Sequence, residues 1–130
     1  MTRTTKGFTL IELLIVVVII GILVSIVIPK FANGKERAMV ASMKGDLHNL
    51  MTAEEAYFSN GLTYYNGVLP NAAFPYSVSP MVTVTLQNVT NTGWGATATH
   101  SGTSKTCAIW VGTGGPVAPA VNEGEPTCTP

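Results

Sequence analysis

The sequence predicts an α+β fold: one long amino-terminal helix, apolar in its first half and amphipathic in its second, packed on a small antiparallel β-sheet with a carboxyl-terminal loop. Three observations carry that prediction. An apolar run fills the 22 positions from Phe8 to Pro29 almost wholly with Leu, Ile, Val and Phe. A one-sided pattern at 3-4 spacing follows from Lys35 to Phe58, and three short runs after position 80 alternate apolar with small or polar side chains.

The apolar run comes first. As a helix it rises about 33 Å, the thickness of a bilayer core, so it can span a membrane. One residue breaks it. Glu12 places a carboxylate where an unpaired charge costs at least ~2.5 kcal/mol, and that carboxylate needs a partner.

Gly7-Phe8-Thr9-Leu10-Ile11-Glu12 follows a short basic leader holding Arg3 and Lys6, and precedes the run that ends at Pro29. This arrangement resembles the class III signal of type IV pilins and of the pseudopilins of type II secretion systems. By that resemblance a membrane-embedded aspartyl prepilin peptidase cuts between Gly7 and Phe8 and methylates the new amino terminus at Phe8. Residues 1–7 are then a leader, 8–29 a transmembrane and filament-core helix, 30–60 its amphipathic continuation, and 61–130 a headgroup. Phe8, Glu12 and Pro29 become the residues of subunit assembly. The segment from Gly21 to Pro29 can unwind in filaments of that family.

The spacing is chemically sensible. An amine at Phe8 and a carboxylate at Glu12 lie one helical turn apart, about 6 Å along the axis, and a helix N-terminus favours a nearby anion. When such helices pack with a small stagger, Glu12 of one chain meets the Phe8 amine of its neighbour, and that pairing sets the register. The alternative is a lone anchor whose Glu12 snorkels to the interface.

The 130 residues suffice for one small domain, and 7 basic against 7 acidic residues give a formal charge of zero. Loss of the leader removes Arg3 and Lys6 and leaves the chain slightly acidic, which argues against a general nucleic-acid surface. Lys30, Lys35 and Arg37 follow the run, so flanking charge alone does not orient it. The cysteines do. Cys107 and Cys128 are the only two, and an even pair in a Thr- and Gly-rich domain suits a disulfide formed outside the cytoplasm, with two free thiols the alternative. A secretory signal peptide is the competing reading of the amino terminus, but the run is longer than such segments.

Beyond Pro29, which with Gly21 and Gly34 marks a bend or a weak segment, Val40, Met43, Leu47, Leu50, Met51, Tyr57 and Phe58 form an apolar face. Lys44, Asp46, Asn49 and Glu54 are expected largely off that face. Asn60-Gly61 is the expected stop, and Tyr64 to Pro80, with Pro70, Pro75 and Pro80, reads as a loop. Strands are expected over Met81–Leu86, Trp94–His100 and Cys107–Gly112, joined by turns at Gln87–Gly93 and Ser101–Thr106. The tail from Thr113 to Pro130 lacks periodicity and needs a tie. A Cys107–Cys128 bond supplies one, contributing roughly 3 kcal/mol by chain entropy, and resembles the disulfide-bounded loop of type IV pilins.

Other residues point to no chemistry. His48 and His100 have no third ligand at metal spacing, no nucleophile has its base, and no cofactor or metal is implied. Asn88-Val89-Thr90 fits a glycosylation acceptor in an exposed turn. Phe31, Tyr57, Phe58, Tyr64 and Tyr65 suggest stacking along a filament, though core and interface roles account for them. The expectation is therefore a structural subunit and not an enzyme. It would sit in the inner membrane as a precursor and then homopolymerise through its amino-terminal helix into a surface filament, with the peptidase and assembly machinery as partners and no nucleic acid. A type II secretion pseudopilin shares the same amino-terminal half. The cysteine pair leans toward a pilin, since major pseudopilins commonly use a calcium-bound loop. A single-pass anchored binding module that never polymerises is the third reading.

Overall fold

A computed structural model describes residues 7–130, and the expected leader positions 1–6 lie outside the described residues. The chain divides into two compact units, one ending at Lys35 and the other spanning Glu36–Pro130. Helix α1, Leu10–Gly61, belongs to both and continues without a break through Pro29.

In the first unit the helix has no cover among the described residues. Every large apolar side chain from Phe8 to Phe31 is exposed, from 44% at Val27 to 84% at Phe8. Ser25 donates its hydroxyl to the Ile22 carbonyl at 2.7 Å, so this polar group is satisfied within its own helix. The stretch thus satisfies its Ser25 hydroxyl but is not buried, and Pro29, which has no N–H, cannot donate to the Ser25 carbonyl.

The second unit has its own core. Helix residues Met43, Leu47 and Leu50 are fully buried against Trp94, Ala96, Ala98, Cys107 and Ile109 of the sheet, with Phe74 and Tyr76 from the connecting loop. The sheet holds four strands in the order β1-β2-β3-β4: β1 (Val82–Thr90), β2 (Gly93–His100), β3 (Thr106–Gly112) and β4 (Thr127–Cys128). All neighbours are antiparallel. Alternation along β3 sends Cys107 and Ile109 to the helix side and Ala108 to the other, where Val117 and Ala120 of the tail cover it beside Trp110.

The tail closes onto the sheet. Cys107 and Cys128 face each other directly across β3 and β4 and are disulfide-bonded over 21 positions. Side chains at Gly95 and Gly114 would collide with Val117 and with the Trp94 backbone respectively, so glycine lets the tail lie flat on the strands.

Three details differ from the sequence reading. Strand β1 runs on to Thr90, so the expected turn Gln87–Gly93 shrinks to Asn91-Thr92; the register shifts between Gln87 and Thr90, a bulge at which Asn88 adopts a left-handed φ of 51°. Asn tolerates that conformation, which is why an apparent turn signal sits inside a strand. The helix stop lies where Asn60-Gly61 indicated, but the left-handed residue after it is Leu62, with φ 56° and its amide donating to Phe58 O at 2.7 Å. And a fourth, two-residue strand forms, held by the disulfide rather than by any pattern of its own.

The largest correction concerns two carboxylates. Asp46 and Glu54 lie on the buried face, 3% and 0% exposed. Asp46 replaces water with Ser79, accepting from its amide at 3.0 Å and its hydroxyl at 2.9 Å, while Tyr76 donates its hydroxyl to the Asp46 carbonyl at 2.9 Å. The helix thereby pins the loop that leads into β1. Glu54 Oε2 accepts from the Tyr65 amide at 2.9 Å, but its Oε1 is buried without a partner. Burial, reinforced by the charge of Glu55 and opposed by the Tyr65 amide, pushes the Glu54 carboxyl up to about 7.

That shift has a definite sign. Between the ordinary value of 4.5 and about 7 the folded chain keeps a proton that the unfolded chain has lost, so Glu54's contribution to stability is complete below 4.5 and is lost as pH rises through 7. The denaturant midpoint should fall between pH 5 and pH 7.5, and Glu54→Gln should flatten that slope; an equal slope in the variant would disprove the assignment. Asp46→Ala should cost about 2 kcal/mol at any pH in that range by leaving the Ser79 donors unpaired, measured by the same unfolding curves.

Candidate assembly site

Helix α1 starts in an apolar sequence, and its first amides need acceptors. Thr9 provides them. Its carbonyl accepts from Leu13 N at 3.3 Å and its Oγ1 accepts from Glu12 N at 3.3 Å. In return Glu12 Oε2 accepts from both Thr9 N and Thr9 Oγ1, each at 2.8 Å. This is a capping box, with Thr9 at the cap and Glu12 three residues on. It gives the carboxylate two donors from its own chain.

The sequence reading missed Thr9. It took the helix from Phe8, whereas α1 begins at Leu10 and Phe8 lies one residue before the cap, exposed. The Thr-x-x-Glu signature ahead of an apolar run was the available signal. Because Gly7 still precedes Phe8, position 8 carries an amide and not an amine, and the pairing expected with Glu12 is not formed in the uncut chain. The capping box holds the carboxylate one residue from the atom that cleavage would turn into that amine.

The remaining expected residues fall elsewhere. Gly7 is exposed and outside the helix, and Pro29 lies within it. Cys107 and Cys128 are joined, and Asn88 is exposed on the β1 bulge. His48 is exposed on the helix, and His100 Nδ1 accepts from the Gly102 amide at 2.9 Å, closing the β2–β3 turn. Among the described residues no three His, Cys, Asp or Glu side chains converge as a metal site. The aromatics do gather: Tyr65 stacks on Phe74 at 4.5 Å between ring centroids, and Phe58 on Tyr64 at 4.7 Å. These stacks fix the loop after the helix to the core of the second unit.

The capped apolar helix is where similarity to known proteins lies. Residues 2–28 match the prokaryotic N-terminal methylation motif, and 54 residues are 50% identical to the type IV major pilin protein PilA of Myxococcus xanthus. The amino-terminal segment of the chain is thus similar to those of type IV pilins and of type II secretion core proteins. The pilin match covers 42% of this chain and 24% of that protein. Other matches of the pilin type include the major fimbrial protein FimA of Dichelobacter nodosus, 44% identical over 61 residues, which are 47% of this chain and 39% of the relative. The type II secretion system core protein G of Pseudomonas aeruginosa is 39% identical over 62 residues, 48% of this chain and 44% of the relative. The chain thus spans less than half the length of the curated pilins and pseudopilins it matches.

If Thr9 is what holds the pilin-type carboxylate, Thr9→Val should fray the first turn by about 1 kcal/mol, or roughly fivefold in amide exchange at residues 10–13, while Thr9→Ser should not. Hydrogen exchange in detergent micelles reads this directly. Unchanged protection in Thr9→Val would mean the cap is idle.

Proposed function

We propose that this chain is the structural subunit of a type IV pilus-like surface filament. The observation that carries the reading is the combination at the amino terminus: a methylation motif over residues 2–28 that takes in the start of an apolar helix left exposed among the described residues, with Glu12 held at its start. The leader keeps the precursor in the inner membrane, and prepilin peptidase removes it between Gly7 and Phe8. The Phe8 amine, methylated, then pairs with Glu12 of a neighbour as helices leave the bilayer for the filament core.

The exchange of lipid for neighbouring helices is the energetic centre of this reading. Some 22 residues of apolar surface cannot enter water at roughly 25 cal/mol per Å² exposed, so extraction works only into a growing bundle. The second unit, with its disulfide, forms the coat outside. Assembly ATPase and platform protein act on the same helix, and the chain itself has no catalytic part. Position 29 supplies a proline where the helix can loosen in the assembled state.

One observation favours a second reading. The similarity to a type II secretion core protein G supports a pseudopilin, which would form a short periplasmic fibre with the same amino-terminal chemistry.

Mass spectrometry of material sheared from cells separates the readings. A surface pilin gives abundant chain starting at methylated Phe8, with two hydrogens missing across Cys107 and Cys128. A processed chain confined to the cell envelope favours the pseudopilin, and an uncut chain removes both. Glu12→Ala should be processed normally yet lower sheared filament at least tenfold; normal yield from that variant would overturn the role of the carboxylate.

A further inference from the structure

We infer that the second unit carries complementary charged ends that dock successive copies head to tail. The inference rests on the filament reading above. Its cations sit together. Arg37 and Lys44 are exposed two helical turns apart at the start of the unit, and Lys105 lies in the β2–β3 turn. That turn is fixed beside them, since Thr103 donates to Glu36 Oε1 at 3.4 Å and Gly102 abuts Met39. These three are all the lysines and arginines in Glu36–Pro130.

The acids collect at the other end. Glu55 is exposed in the closing turns of the helix, about 16 Å along the axis from Lys44 and about 27 Å from Arg37. Glu123 and Glu125 are exposed on the disulfide loop, which meets the helix where Gly124 lies against Met51. Tyr64 ties the group into one place: it donates to Glu55 Oε1 at 3.1 Å, and its phenol is raised by burial, by that bond and by the charges of Glu55, Glu54 and Glu123. Glu123 Oε1 also accepts from the Gly112 amide and Glu125 Oε2 from Asn122 Nδ2 at 2.9 Å, bonds that hold both exposed carboxylates in place, while Glu36 and buried Asp46 are engaged elsewhere, by Thr103 and Ser79.

A copy translated along the helix direction brings its acidic end toward the basic end of the next. The contact is heterologous and does not close, which is the symmetry a fibre requires. Like ends repel, so the same charges oppose antiparallel contacts. The partner is a second copy of this chain, and Glu55 with Glu123 on one copy faces Arg37 with Lys44 on the next.

The test uses full-length chain in cells that process it. Glu55→Lys with Glu123→Lys makes both ends basic, and Arg37→Glu with Lys44→Glu makes both acidic. Each pair of reversals alone should lower sheared filament at least tenfold, with the Phe8 terminus still produced. Co-expression of the two reversed chains should restore filament to within threefold of the original, containing both chains in near-equal amounts. Damage confined to folding cannot be rescued by a second damaged copy, so failure of rescue overturns the docking. Normal yield from either reversed chain alone also overturns it. Absence of filament from the unaltered chain would instead remove the filament reading on which the docking rests.

Discussion

A carboxylate at the head of an apolar helix imposes one condition wherever that helix goes: it must keep a hydrogen-bonded partner while everything after it stays out of water. Glu12 meets the first demand locally, through Thr9, before any other molecule is involved. The second demand is met by none of the described residues, since the large apolar side chains from Phe8 to Phe31 are exposed. Lipid and a bundle of like helices are the two surroundings that satisfy both. On the filament reading proposed above, the segment passes from one to the other, and the cap keeps the carboxylate hydrogen-bonded in both.

The second unit has a core of its own. Its core is closed by Met43, Leu47 and Leu50 on the helix, the inner faces of β1 to β3, and the tail that the Cys107–Cys128 bond returns to the sheet. Two buried carboxylates act as its fasteners in different ways. Asp46 has donors on both oxygens and pins the loop before β1, whereas Glu54 has a donor on one oxygen alone and favours its neutral form. The loop after the helix is consequently sensitive to proton activity, since Tyr65 hangs from Glu54.

The helix, its change of character near Lys35 and three of the four strands were legible because periodicity reports burial directly. Asp46 and Glu54 were not. Charged residues are read as solvent-facing unless a partner is visible, and Ser79 and the Tyr65 amide lie 33 and 11 positions away. Strand β4 was hidden for a similar reason, since two residues have no period. The Thr9–Glu12 cap was legible but was passed over in favour of the distant pairing of Glu12 with an amine. Asn88-Val89-Thr90 misled because the residue types that make turns also make bulges.

Apolar packing alone does not fix a filament. Contacts among Leu, Ile and Val are nearly indifferent to a slide of one helix past another, so the axial position of each copy must come from directional groups. The helix offers one such group, Glu12, which lies within the stretch that matches the methylation motif. A single ion pair in a loose bundle sets the stagger of the helices but leaves the coat free to swing. The second unit has its own polarity, three cations at one end and an acidic group around Tyr64 at the other. In the filament proposed above, two separate charge pairings, one between helices and one between second units, would together constrain how copies stack, and neither requires a large apolar patch on the surface that faces water.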